Sequence, residues 1–154
     1  MAVVKNRNNV VLHTKVDGVL YGNFKLREFE NAEGLAMVHP TLLEGLERTR
    51  RDLGAYYGKT VYVIITSAVR TEQDNERLAK QLGWTEDGGL VSRGSYHLNR
   101  FGGIAVDLIA KEAETGRVVA QKTVGKICRR YFDWVKDDYA DGHVHVDNRF
   151  RGQQ

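Results

Sequence analysis

Near the carboxyl end of the chain, His143, Val144, His145, Val146 and Asp147 alternate polar with apolar residues. Side chains alternate across an extended strand, so the two valines share one face and His143, His145 and Asp147 share the other. Two imidazoles on one face, roughly 7 Å apart at about 3.4 Å of rise per residue, suit a divalent metal and a neighbouring acid–base group. Taken alone, the pattern describes a polar strand face equally well. Upstream, Asp107 interrupts the apolar run from Ile104 to Ala110. An ionised carboxylate there requires a counter-ion, hydrogen-bond donors or a metal. His97 follows Ser95 and Tyr96, shortly before the pair Gly102 and Gly103. One histidine before a glycine-rich turn, one strand aspartate and a terminal histidine pair together supply a His/Asp/His set. Catalytic zinc typically takes three such protein ligands and leaves its fourth position to water.

These residues need elements to position them. Val10 to Gly22 reads as a hairpin about Asp17-Gly18. Pro40 suits the first position of a helix, along which Leu42, Leu46, Thr49 and Leu53 follow at helical spacing until Gly58 stops it. The β-branched run Val61 to Thr66 reads as a buried strand. Thr71 can cap a second helix that turns Leu78 and Leu82 inward. Gly83 to Gly94 is a long loop. Ile104 to Ala110 reads as a strand, and Glu114-Thr115-Gly116 turns it into a partner strand over Arg117 to Gln121. Val124, Ile127, Cys128, Tyr131 and Val135 mark the inward stripe of a third helix, and the histidine strand closes the chain. The expected class is α+β, a small antiparallel sheet with helices packed on it, with residues 1–154 forming one domain.

Composition narrows the function classes. Of the 154 residues, 42% are hydrophobic and 28% charged, the balance of a globular protein able to bury a core. No apolar stretch approaches the roughly 18 residues that a membrane span needs, which argues against membrane insertion. The net charge of +3 is mild. Arg48, Arg50 and Arg51 read as a solvated helix face, so no nucleic-acid partner is expected. Met1 to Asn9 is basic without an apolar segment behind it, unlike a secretory signal. The one cysteine, Cys128, rules out an internal disulfide or a cysteine metal cluster and reads as a core residue.

Five segments, in order, resemble the D-alanyl-D-alanine carboxypeptidase-like zinc peptidases, which share their metal site with hedgehog signalling domains and lysostaphin-type peptidases. They are Asn23 to Phe29, similar to a segment of the phage and bacterial branch; Ser67-Ala68-Val69-Arg70; Ser95-Tyr96-His97; Gly103-Ile104-Ala105-Val106-Asp107; and His143-Val144-His145. The resemblance implies that His97, Asp107 and His145 bind Zn2+. It also implies that Arg70 contacts the substrate's carbonyl or carboxylate and that Ser95 orients the His97 loop on the substrate side. Asp147, on the ligand face of its strand, either orients His145 or merely solvates that face. The activity the resemblance implies is hydrolysis of an amide bond in a peptidoglycan stem peptide or cross-link, by a carboxypeptidase or an endopeptidase.

Two departures stand out. The interval from His97 to Asp107 is longer than usual, with Asn99-Arg100-Phe101 resembling an insertion. Gly142 occupies a position where many members carry Glu or Asp, which leaves Asp141 or His143 as the general base. The resemblance to the phage branch, with no secretory signal, implies a wall hydrolase made in the cytoplasm. It would reach the wall through a holin pore or as a virion component beside other phage tail proteins. The alternative is a non-enzymatic tail or wall-binding protein on the same fold.

Overall fold

Val11–Val16 (β1) and Val19–Lys25 (β2) form the antiparallel hairpin. Its two-residue turn has φ of 51° at Asp17 and 81° at Gly18, the left-handed pair that such a turn requires. The computed structural model describes residues 8–151. The reading of Met1 to Asn9 as unlike a secretory signal therefore lies outside the described residues except at Asn8 and Asn9. Pro40–Tyr57 (α1) starts at Pro40 behind the cap His39, and ends on Gly58 in the left-handed conformation. Thr71 caps Glu72–Leu82 (α2) with a reciprocal bond to Asp74. No helix among the described residues is long and apolar enough to cross a membrane.

The class is α+β. Val61–Ser67 (β3), Ala105–Glu112 (β4), Trp134–Lys136 (β5) and Val144–Asp147 (β6) form a second sheet in the order β3-β4-β6-β5. Every pairing in it is antiparallel. Val106, Leu108, Val144 and Val146 from one face of the central strands join Leu42, Leu46 and Leu53 of α1 in the core. Val124, Ile127 and Cys128 of Gln121–Cys128 (α3) complete it. Burial pushes the Cys128 thiol up to about 12, as expected of an inert core residue.

Four expectations need correction. Leu82 is 45% exposed, and the buried face of α2 is made by Asn75 and Ala79. Helical spacing marks a stripe, but what covers that stripe is a tertiary matter. The partner strand at Arg117 to Gln121 reduces to a single bridge, Lys111 to Val118, because Gln121 already opens α3. That helix ends at Cys128, leaving Tyr131 in the turn beyond it and Val135 on β5, opposite Val146. Arg48 and Arg51 are half-buried and ion-paired, both reaching Asp17 across to the hairpin turn.

One contact anchors the segment that leads into the site. Asp137 is buried and takes a two-pronged bond from Arg129, at 2.7 and 3.1 Å, plus Lys122 at 3.2 Å. The Arg129 bond holds its carboxyl down at about 2. The pair's contribution is therefore complete above the ordinary carboxylate range and is lost as pH falls towards 2. A Cβ on Gly125 would lie 2.1 Å from Asp137 Oδ2. Gly125→Ala should gain about 1 kcal/mol of helix propensity but lose more through overpacking and the displaced pair. A net destabilisation of at least about 1 kcal/mol is expected in urea unfolding at pH 7, narrowing towards pH 2. Unchanged or raised stability at pH 7 would contradict this account.

Candidate metal centre

The register between β4 and β6 sets Asp107 directly opposite His145. Directly opposed residues of antiparallel strands point to the same side, so both face away from the valine core. The third group arrives from a loop. The register of β3 on β4 shifts between Ile65 and Ser67, a bulge of the kind that re-aims a chain beside a site. Just beyond it, the Ala68 carbonyl accepts the His97 Nδ1 proton at 2.8 Å. Arg70 then bridges in parallel to Leu98, through Arg70 N–H to the His97 carbonyl and Asn99 N–H to the Arg70 carbonyl, each 2.8 Å. Asn99–Phe101, the segment resembling an insertion, is a single 3-10 turn closing on Gly102 at φ 80°. It is absorbed ahead of β4 without displacing Asp107.

Three atoms converge as a result. His97 Nε2 lies 3.1 Å from both Asp107 Oδ1 and His145 Nδ1, and the latter two are 3.0 Å apart. The outer nitrogens are committed elsewhere: His97 Nδ1 to Ala68, and His145 Nε2 to Asp147 Oδ2 at 2.7 Å. With those protons placed outward, two imidazole lone pairs and a carboxylate oxygen face one another across buried space. That arrangement is repulsive unless a proton or a cation sits among them. Ligands about 2.1 Å from a tetrahedral centre lie about 3.4 Å apart, close to the edges seen here. His97, Asp107 and His145 could therefore hold a metal ion.

The ionisation states agree with this donor set. Burial pushes His97 down, keeping it neutral. Burial also opposes the charge on Asp107, but bonds from His145 and His97 outweigh it and hold the carboxyl well below its usual range. For His145, burial is outweighed by its bonds to Asp107 and Asp147, so its pKa is raised. The same two carboxylates that raise His145 make it the imidazole at which a proton competes with a cation.

No protein-family model, curated protein or solved structure matches the chain. The reading of the site stands on its own chemistry.

Around the three ligands, Arg70 Nη2 lies 3.8 Å and His143 Nε2 3.7 Å from Asp107 Oδ2, the oxygen turned away from the cage. Burial pushes the Arg70 guanidinium down, opposed by Asp107. Ser95 Oγ accepts the His97 N–H at 3.3 Å, so it shapes the loop. Asp147 is fully buried behind His145. Asp141 stands elsewhere. Its side chain is 71% exposed and binds His143 Nδ1, the ring nitrogen remote from the cage.

Two contributors carry no sequence signal. Tyr139 stacks on His143 with ring centroids 3.9 Å apart and 19° between planes, and burial together with Asp107 pushes its phenol up to about 12. Gln121 Nε2 donates to the carbonyls of Tyr139 and His143, at 3.1 and 2.8 Å, clamping the loop between them. Gln121 reaches carbonyls 18 and 22 residues along the chain, and the Tyr139 stack spans a turn that no strand or helix period describes.

His97→Ala, Asp107→Ala and His145→Ala should each abolish stoichiometric metal uptake, whereas Asp141→Asn should retain it, as read by metal analysis after dialysis. Bound metal has to displace the proton on His145. Affinity should therefore climb with pH through the ordinary imidazole range near about 6.5 and level off only above it. A pH-independent affinity would contradict this proton competition.

Proposed function

We propose that this chain is a zinc peptidase that hydrolyses an amide bond in the peptide portion of bacterial peptidoglycan. The observation that carries the reading is the placement of His143 and Arg70 at one oxygen of Asp107, beside a three-ligand His/Asp/His cage. A buried cage alone suits a structural metal. A cage flanked by a proton carrier and a guanidinium suits hydrolysis. The ordered resemblance to the D-alanyl-D-alanine carboxypeptidase-like peptidases, with its hedgehog-type fold, supplies the substrate class.

His97, Asp107 and His145 would hold the zinc, which leaves a position open when three protein groups bind it. Bound there, zinc would supply Lewis acidity and make water a usable nucleophile near neutral pH. The chain's own residues do the rest. His143 takes a proton at Nε2 and returns it to the leaving amine. Asp141 accepts from Nδ1–H, fixing the tautomer that leaves Nε2 free, and stabilises the ring once it is charged. The Tyr139 stack and the Gln121 clamp hold the plane of that ring. Of the two candidate bases, this assigns proton transfer to His143 and orientation to Asp141. Glycine at position 142 then fits a turn that carries Asp141 behind the imidazole, with φ of 88°. Arg70 offers a two-pronged cation to a substrate carbonyl or carboxylate oxygen. Delivery to the wall through a holin pore or on a virion belongs to this same proposal.

Purified peptidoglycan digested with the zinc-loaded chain should release muropeptides whose masses name the bond. His143→Ala should keep its zinc and lose about 100-fold or more in rate. Asp141→Asn should lose less, since it removes an orienting group. Zinc binding without release of any muropeptide would overturn the peptidase reading and favour a wall-binding or tail protein.

A further inference from the structure

Asp147 receives four hydrogen bonds although it is fully buried. His145 Nε2 and Arg149 Nη2 donate to Oδ2 at 2.7 and 2.8 Å, while Arg149 Nε and Arg149 N donate to Oδ1 at 2.9 and 3.1 Å. That uses the full acceptor capacity of a carboxylate. The guanidinium also lies over two rings, with its carbon 4.2 Å from the centroid of Trp134 and 4.3 Å from that of Tyr96. Trp134 belongs to β5, and Tyr96 directly precedes the ligand His97. One planar cation therefore touches three separate pieces of chain. It grips β6 through Asp147, β5 through Trp134 and the His97 loop through Tyr96.

We propose that Arg149 is a positioning residue of the metal centre. It locks the Asp147 carboxylate that orients His145, and through Tyr96 it holds the loop that presents His97. The inference rests on the metal reading of the cage but is independent of peptidase activity. Without the guanidinium, Asp147 keeps only the Arg149 backbone N–H and His145 as partners. Its carboxylate can then turn, and the His145 ring turns with it. Lysine can replace this function only in part, because it keeps the charge but has neither the two-pronged geometry nor a flat face to stack.

The test is zinc affinity, measured by competition with a chromophoric chelator on the purified full chain, alongside unfolding of the metal-free protein. Arg149→Met should bind zinc about 10- to 100-fold more weakly, with the metal-free fold retained by circular dichroism. Arg149→Lys should recover only part of the loss. Because Arg149 acts in part through Asp147, Arg149→Met combined with Asp147→Asn should lose clearly less than the sum of the two single losses. Should Arg149→Met fail to fold, Trp134→Leu removes one face of the stack and should still weaken zinc by several-fold. Wild-type affinity in the folded Arg149 variant, or in Trp134→Leu where that variant does not fold, would overturn the proposal, as would losses that simply add. A wild-type chain that binds no zinc would instead remove the metal reading itself.

Discussion

An ionised carboxylate on a central strand has to be compensated by whatever lies within hydrogen-bond reach, since water cannot do it. Asp107 sits on β4, flanked by β3 and β6, and its side chain is 12% exposed. Its nearest partners are imidazole nitrogens from β6 and from the His97 loop. Each imidazole has spent its other nitrogen on an outer acceptor, the Ala68 carbonyl or Asp147. Those outer bonds determine which lone pairs turn inward. The cage is thus defined less by the three groups that could hold a metal ion than by the acceptors behind them.

The sheet separates two kinds of work. One face of β4 and β6 carries Val106, Leu108, Val144 and Val146 into the core under α1 and α3. The other carries Asp107, His145 and Asp147 beneath the loops that bring in His97 and Arg70. Rigid strands fix the first two ligands to the backbone lattice, while the third depends on a loop. That loop is held by two backbone bonds to Arg70 and by Tyr96 packed on Arg149. The flanking residues have a support of their own: Asp137 anchors their segment to α3, and Gln121 clamps Tyr139 and His143 together. Electrostatic interactions in so buried a site are stronger than in water, in both attraction and repulsion, so small displacements of these supports have large effects.

The fold was legible where a residue type imposes its own geometry. Asp17-Gly18 demands a left-handed turn, Pro40 and Gly58 bracket a helix, and Thr71 caps another. It was not legible where two periodicities overlap. Tyr131 and Val135 extend the spacing of Val124, Ile127 and Cys128, yet one lies in a turn and the other on β5. Leu82 fits the stripe of α2, but it stays 45% exposed.

For the site, the sequence by itself determined the chemistry of the donors and the shared side of the strand from which His143, His145 and Asp147 project. The alternation of His143 to Asp147 is a local property of extended backbone, and an aspartate within an apolar strand announces its need for a partner. Only the tertiary structure decided that Asp107 stands opposite His145, 38 residues away, and that His97 reaches His145 across 48. The tertiary structure also decided that Gln121 clamps the His143 segment and that Arg149 joins β6 to β5 and to the His97 loop. The physical reason is one of range: strand period fixes facing within a few residues, whereas register, bulge and packing fix contact between segments.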